Sequence, residues 1–175
     1  MKNLASLQRK VRRSTSQPIS SLRDVRAVLF DRDGTLIVDV PYNGDPALVT
    51  PVPDAQRALD LLRARGIALA VVTNQSGIAR GKITRSQADD VNGRVKELLG
   101  PFGGFFVCPH GPDDGCRCRK PMPGLLLDAA AALGVPPEQC FVIGDKASDT
   151  AAATAAGMRS ALVTADDSLL KIISG

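Results

Sequence analysis

From residue 25 onward, short apolar runs alternate with longer stretches whose apolar positions recur at helical spacing. "VRAVLF" (25–30) is β-branched-rich and ends abruptly in "DRDGT", which predicts a buried strand. "PDAQRALDLLRARG" (53–66) puts Ala55, Ala58, Leu59 and Leu62 on one face and stops at Gly66, predicting a helix. "IALAVVTN" (67–74) reads as the next buried strand. Thr84 and Gln87 form a capping-box signature ahead of the stripe Ala88, Val91, Val95 and Leu98. "FFVC" (105–108) is a short strand, "PGLLLDAAAALG" (123–134) a helix and "QCFVIGD" (139–145) a strand. "SDTAAATAAG" (148–157) follows as a helix with Ser148 at its N-cap, and "RSALVT" (159–164) closes the alternation.

This alternation predicts an α/β domain, a doubly wound parallel sheet with helices on both faces. Such sheets bind ligands just beyond the carboxyl ends of their strands. The polar clusters fall at those ends: Asp31 and Asp33, Thr73 and Asn74, Cys108 and His110, and Asp145. Four strands thus deliver reactive groups to one rim, the construction of an enzyme site.

Charge divides the chain in two. Residues 1–26 carry seven Lys and Arg against Asp24 alone, a net +6 out of the overall +4, so the remainder sums to −2. We therefore separate a basic tail (1–24), read as disordered, from one folded domain (25–175). The first 21 residues of the tail hold no acidic side chain and also fit an organelle transit peptide or a polyanion-binding arm. Apolar residues make up 44% and charged residues 23%, as in a globular domain, and no apolar run approaches a membrane span. With four cysteines, three of them in one loop, a disulfide framework is not expected and a reducing cytoplasm fits. The domain holds five Phe, one Tyr and no Trp, few aromatics for stacking bases, so nucleic acid is not the expected partner despite the tail. A monomer acting on a small molecule is expected.

Asp31 and Asp33 point the same way if the chain after the strand stays extended, and Gly34 permits a sharp turn. Asp145 ends another strand. Clustered carboxylates repel one another unless a cation sits among them, and oxygen ligands with open positions suit Mg²⁺ holding a phosphate. Alone, an Asp-x-Asp pair is equally a solvated turn; Asp145, Thr73 and Lys120 at other strand ends favour the site. Cys108, His110, Cys116 and Cys118 supply the four ligands that a closed structural Zn²⁺ site requires. A redox pair at Cys116 and Cys118, or a plain reduced loop, are the competing readings.

"DRDGTL", "VVTNQSG", "RKPMPG" and "VIGDKASD", in this order at strand ends, resemble the four motifs of the haloacid-dehalogenase-like phosphohydrolases. Within that family, "TNQSGIARG" and "CPH…CRCRKPMPG" resemble the group that hydrolyses heptose bisphosphate and histidinol phosphate. The resemblance implies that Asp31 is the nucleophile and Asp33 the general acid and base. Mg²⁺ would be held by the Asp31 carboxylate, the Asp33 carbonyl and Asp145. The Thr73 hydroxyl and Asn74 backbone would hold phosphoryl oxygens, and Lys120 would stabilise the transferring group. Asp149 would orient Lys120 or the metal shell. Gln75, Ser76, Arg119 and Lys146 are implied to meet substrate. A structural zinc would fix the loop that carries Arg119 and Lys120.

The stretches after Asp33 and after Asn74 are too short for a large cap domain, so a capless mouth selected by loops is expected. In "IVDVPYNGDP", Asp39 and Tyr42 align with the family's substrate loop, and Asp39 would accept hydroxyl hydrogen bonds from a polyol, the basis for a phosphorylated sugar substrate. Histidinol phosphate and a nucleic-acid 3′ end are the alternatives. After "LVTADDSLLKIISG" a final helix is expected to be missing or reduced.

Overall fold

The computed structural model describes residues 24–174. The reading of residues 1–24 as a disordered tail lies outside these, Asp24 apart. Five parallel strands form one sheet in the order β3-β2-β1-β4-β5: β1 Ala27–Phe30, β2 Ala68–Asn74, β3 Phe105–Cys108, β4 Cys140–Gly144 and β5 Arg159–Leu162. Helices α1 (Ala55–Ala64), α2 (Arg85–Leu99), α3 (Gly124–Leu133), α4 (Ala147–Ala155) and α5 (Leu169–Ser174) cover it.

Side chains of β1 alternate between two cores, as a strand's period of two requires. Val28 and Phe30 pack with residues of α1, α2 and α5, whereas Ala27 and Leu29 pack with residues of α3 and α4. Both faces of the central strand are therefore dry, which explains its unbroken apolar run. The stripe predicted for α1 is buried residue for residue. In α2 the capping box forms as expected: Thr84 Oγ1 accepts from the Gln87 amide at 3.1 Å while Gln87 Oε1 accepts from the Thr84 amide at 2.8 Å.

Two local expectations change. Ser148 is not the cap of α4, which begins one residue earlier; the Asp149 carboxylate accepts from the Lys146 backbone N–H at 3.0 Å and satisfies that end. The last described helix, α5, is six residues long, and Leu169, Ile172 and Ile173 bury it against α1. The chain after Asp31 is not extended. It curls around the Arg32 carbonyl, which accepts from the Leu36 and Ile37 amides at 3.0 and 3.1 Å, with Gly34 at φ +80°.

Between β1 and α1 lies only a loop with a 3-10 turn at Pro46–Leu48, and the only helix between β2 and β3 is α2, so the mouth is capless. Chain order runs outward from β1 to β3 and then returns to β4 on the other side of β1. The crevice at that reversal, between the ends of β1 and β4, is where such sheets hold ligands.

Candidate active site

The end of β1 presents Asp31, whose amide donates to Ile143 O at 2.8 Å and so is locked to β4. Lys120, carried by the loop after β3, lies buried with its ammonium 2.7 Å from Asp31 Oδ1, 2.5 Å from Asp149 Oδ1 and 2.9 Å from the Val72 carbonyl. Its backbone is equally fixed: Asn74 Oδ1 accepts from the Lys120 amide at 3.1 Å and Asn74 Nδ2 donates to its carbonyl at 3.0 Å. The Asn74 side chain is thus spent on Lys120. Asp149 pairs with Lys120.

Burial pushes the Asp31 carboxyl up to about 6, with the Lys120 charge opposing and Asp149 and Asp33 adding to the rise. Burial alone would lower Lys120, but Asp31 and Asp149 outweigh it and hold its pKa above the ordinary lysine value. Burial likewise raises Asp145.

Asp31, Asp145 and Asp149 bring carboxylate oxygens within 4.8 Å of one another, and Asp145 Oδ1 is buried without a hydrogen-bond partner. An orphaned, buried carboxylate oxygen facing other carboxylates suits a hard divalent cation, so the donor set fits Mg²⁺. Gly34 makes the approach possible, because a Cβ there would collide with the Asp145 carboxylate.

Asp33 sits apart from this cluster. Arg32 Nε and one terminal nitrogen donate to its two oxygens at 3.1 Å each, and Gln75 Nε2 donates to Oδ2 at 2.8 Å. Gln75 also donates to Thr73 Oγ1 at 2.8 Å, so its buried amide braces Asp33 and Thr73 instead of reaching out of the mouth. A cavity of about 50 Å³ is lined by Asp31, Asp33, Thr73, Asn74, Lys120, Lys146 and Asp149. It brings together the predicted nucleophile, acid, hydroxyl and ammonium in a space of phosphoryl size.

Two clefts adjoin it. One, of about 290 Å³, is lined by Asp39, Tyr42, Asn43, Gln75, Ser76 and Lys146 among others. The second, of about 750 Å³, takes Ser76, Arg119, Met122 and Lys146 and reaches the Cys loop. Lys146 borders both clefts and the cavity; its ammonium is 3.5 Å from Asp39 and 3.9 Å from Asp145. Burial opposes its charge, but Asp145 and Asp39 raise its pKa. Tyr42 adopts φ +54°, and a Cβ on Gly77 would come within 2.8 Å of its ring, so the two substrate-side loops touch.

The Cys loop closes on itself. Cys108 Sγ is 3.1 Å from Cys118 Sγ and 3.8 Å from Cys116 Sγ; Cys116 and Cys118 are 3.6 Å apart. His110 Nδ1 stands 3.3 Å from Cys118 Sγ and 3.6 Å from Cys108 Sγ. A tetrahedral zinc about 2.3 Å from each sulfur separates sulfurs by about 3.8 Å, near most of these spacings. None of the four cysteines is in a disulfide, and burial first, then hydrogen bonding to Cys118, pushes Cys108 up to about 12. Three cysteine sulfurs and one imidazole nitrogen within 4.8 Å of one another fit a soft divalent ion, which would take the sulfurs as thiolates. Arg119 donates to the His110 carbonyl at 3.2 Å, linking the loop to the wide cleft.

The buried polar residues outside the predicted set include Arg32 and Asn92, joined by a 2.8 Å bond from the guanidinium to Asn92 Oδ1. The available signal was a polar residue beside the apolar stripe of α2.

Two family models match this chain: a haloacid dehalogenase-like hydrolase model over residues 28–96 and a HAD-hydrolase-like model over residues 117–169. The D-glycero-β-D-manno-heptose-1,7-bisphosphate 7-phosphatase of Pseudomonas aeruginosa is 37% identical over 78% of this chain and 79% of its own length. The chain belongs to the haloacid-dehalogenase-like hydrolases. The Escherichia coli enzyme of the same name is 38% identical, covering 78% of this chain and 77% of that one. The crystal structure of D,D-heptose 1,7-bisphosphate phosphatase from B. bronchiseptica, complexed with magnesium and phosphate, superposes with a TM-score of 0.71 at 31% identity, over 78% of this chain and 79% of that one. No helix among the described residues is long and apolar enough to cross a membrane.

Proposed function

We propose that this hydrolase removes a phosphate from a phosphorylated sugar, D-glycero-D-manno-heptose 1,7-bisphosphate at its 7-position, with Mg²⁺ as cofactor. The observation that carries the reading is the convergence of Asp31, Asp33, Thr73 and Lys120 on one 50 Å³ cavity opening into a polar cleft. The sugar itself is taken from the relatives that share this chain's motifs.

Asp31 attacks phosphorus with a carboxylate oxygen, and the bond to the sugar oxygen breaks. The electron pair stays on that oxygen, which takes a proton from Asp33. Water then attacks the aspartyl-phosphate, giving its proton to Asp33, and the bond to Asp31 breaks to release inorganic phosphate. Lys120 and Thr73 stabilise the equatorial oxygens from fixed positions, so little reorganisation is needed as charge develops. Asp31, the Asp33 carbonyl and Asp145 would hold Mg²⁺, which would neutralise charge between carboxylate and phosphate. Asp39, Tyr42, Ser76, Arg119 and Lys146 form the surroundings of the sugar, with Asp39 accepting from hydroxyls.

A zinc on Cys108, His110, Cys116 and Cys118 is structural in this reading. With four protein ligands it would have no open position, and Cys108, His110, Cys116 and Cys118 would through it fix the backbone that carries Arg119 and Lys120. A reducing cytoplasm, where the thiols stay available to metal, and a role in carbohydrate metabolism suit it.

The test is phosphate release by the purified protein with Mg²⁺ from heptose 1,7-bisphosphate, histidinol phosphate and a 3′-phosphorylated oligonucleotide. The heptose bisphosphate should be fastest. Preference for either other ester overturns the substrate, and release from none overturns the activity.

A further inference from the structure

Arg32 is the largest fully buried side chain described, 1% exposed, wedged between the two reactive aspartates in sequence. Burying a guanidinium is costly unless its hydrogen bonds are met. Here they are met on one side by Asp33 and on the other by Asn92 of α2. Asn92 itself is an anomaly. It is 5% exposed beside the apolar stripe of its helix, and its Nδ2 has no partner. A leucine there would avoid the desolvation cost, so this polar residue weakens the core it occupies. Its described bond is to Arg32, and Arg32's charged partner is Asp33.

The geometry of the fork gives this chain of contacts a purpose. Two parallel N–H groups from a planar guanidinium fix the plane of a carboxylate as well as its position. Gln75 occupies a further lone pair on Oδ2, which leaves Oδ1 with the free one. Asp33 borders both the phosphoryl-sized cavity and the 290 Å³ cleft, the junction where a leaving oxygen must lie between phosphorus and sugar.

We propose that Arg32, anchored on Asn92, is a positioning residue that aims the Asp33 carboxyl at the leaving oxygen. The inference rests on the phosphatase reading above. In the step concerned, the bond from phosphorus to the ester oxygen breaks, the electron pair remains on oxygen, and the Asp33 proton moves to it. Misaligned by an ångström, the proton arrives late and the alkoxide must leave unprotonated.

That consequence separates positioning from a structural role. An alkyl phosphate needs the proton, whereas p-nitrophenyl phosphate has a leaving oxygen that is stable as an anion. The ratio kcat/KM reports steps up to departure of the leaving group, so water activation in the second half does not enter it. With the full-length protein and Mg²⁺, Arg32→Met should lower kcat/KM for the sugar phosphate by about 100-fold, in the range of general acid catalysis, and for p-nitrophenyl phosphate less than about threefold. Asn92→Ala should show the same selectivity at about tenfold, and Arg32→Lys should recover only part of the loss, since one ammonium cannot reproduce the fork. Asp33→Asn sets the reference for complete loss of the acid.

Equal losses on both esters, or an unchanged kcat/KM for the sugar phosphate, overturn the proposal. If Arg32→Met fails to fold by circular dichroism, Arg32→Lys and Asn92→Ala decide the same question by the same ratio. A wild-type protein that hydrolyses neither ester overturns the phosphatase reading itself, which selective or unselective losses in the variants leave standing.

Discussion

Replacing Lys120 with Met tests the charge balance at the heart of the site. The ammonium touches Asp31 at 2.7 Å and Asp149 at 2.5 Å, and all three side chains are nearly dry, at 2%, 8% and 2% exposure for Lys120, Asp31 and Asp149. At an effective dielectric of about 20, each contact of this length is worth roughly 6 kcal/mol of attraction. Several kcal/mol of desolvation per ion offset most of that in the intact triad. Removing the cation alone leaves two buried carboxylates facing each other. Protonation of Asp31, already pushed up to about 6, limits the damage. A loss of about 3–5 kcal/mol follows for breaking a buried pair on one side. For a domain of this size that is a fall of roughly 6–20 °C in Tm. The assay is thermal unfolding by circular dichroism in EDTA. Adding Asp149→Asn should return about half of the loss, because the amide oxygen can still accept from the Lys146 N–H while one negative charge is gone. Mg²⁺ should raise the Tm of Lys120→Met more than that of the wild type, since the cation meets uncompensated carboxylates. An unchanged Tm in EDTA refutes the charge-balance reasoning.

Four further outcomes are expected. Asp31→Asn should abolish phosphate release with the circular dichroism spectrum unchanged; retained turnover removes Asp31 as nucleophile. Metal analysis should find one tightly bound zinc per chain, and Cys116→Ser should lower both zinc content and Tm; full activity and stability in zinc-free protein refute the brace. Gly34→Ala should cost about 2 kcal/mol or more, because it adds a Cβ at positive φ against the Asp145 carboxylate, and should blunt the Mg²⁺-induced rise in Tm. Asp39→Ala should raise KM for the heptose bisphosphate about tenfold, the value of a charge-assisted hydrogen bond, with kcat little changed; an unaltered KM removes Asp39 from the sugar contacts.

The sheet was legible because each signal was local and redundant. The apolar run of β1 and the face Ala55, Ala58, Leu59 and Leu62 of α1 obey different periods, and both are buried as those periods require. The position of the site followed from the same alternation, since polar residues cluster where strands end. What stayed hidden depends on rotation within a turn. Extended geometry would have left Arg32 facing away from Asp33, but the curl around its own carbonyl brings the guanidinium back onto its neighbour. The family resemblance implies that Gln75 meets substrate, yet its amide turns inward to Thr73 and Asp33. At α4, Ser148 and Asp149 are both good cap formers, and spacing in sequence does not say which carboxylate or hydroxyl reaches the free N–H. At Asn92 the sequence shows only a polar residue beside an amphipathic stripe that its apolar members define.

The central claim is that a phosphoryl group passes through a covalent bond to Asp31, and it can be tested by trapping that bond. In Asp33→Asn the water-activating base is gone, while p-nitrophenyl phosphate still has a leaving group that needs no proton, so the intermediate should accumulate. Acid-quenched protein analysed by peptide mass spectrometry should carry one phosphoryl group on Asp31, removable by hydroxylamine as an acyl phosphate must be. A phosphoryl group on any other residue, or wild-type-like turnover by Asp31→Asn, would contradict the account.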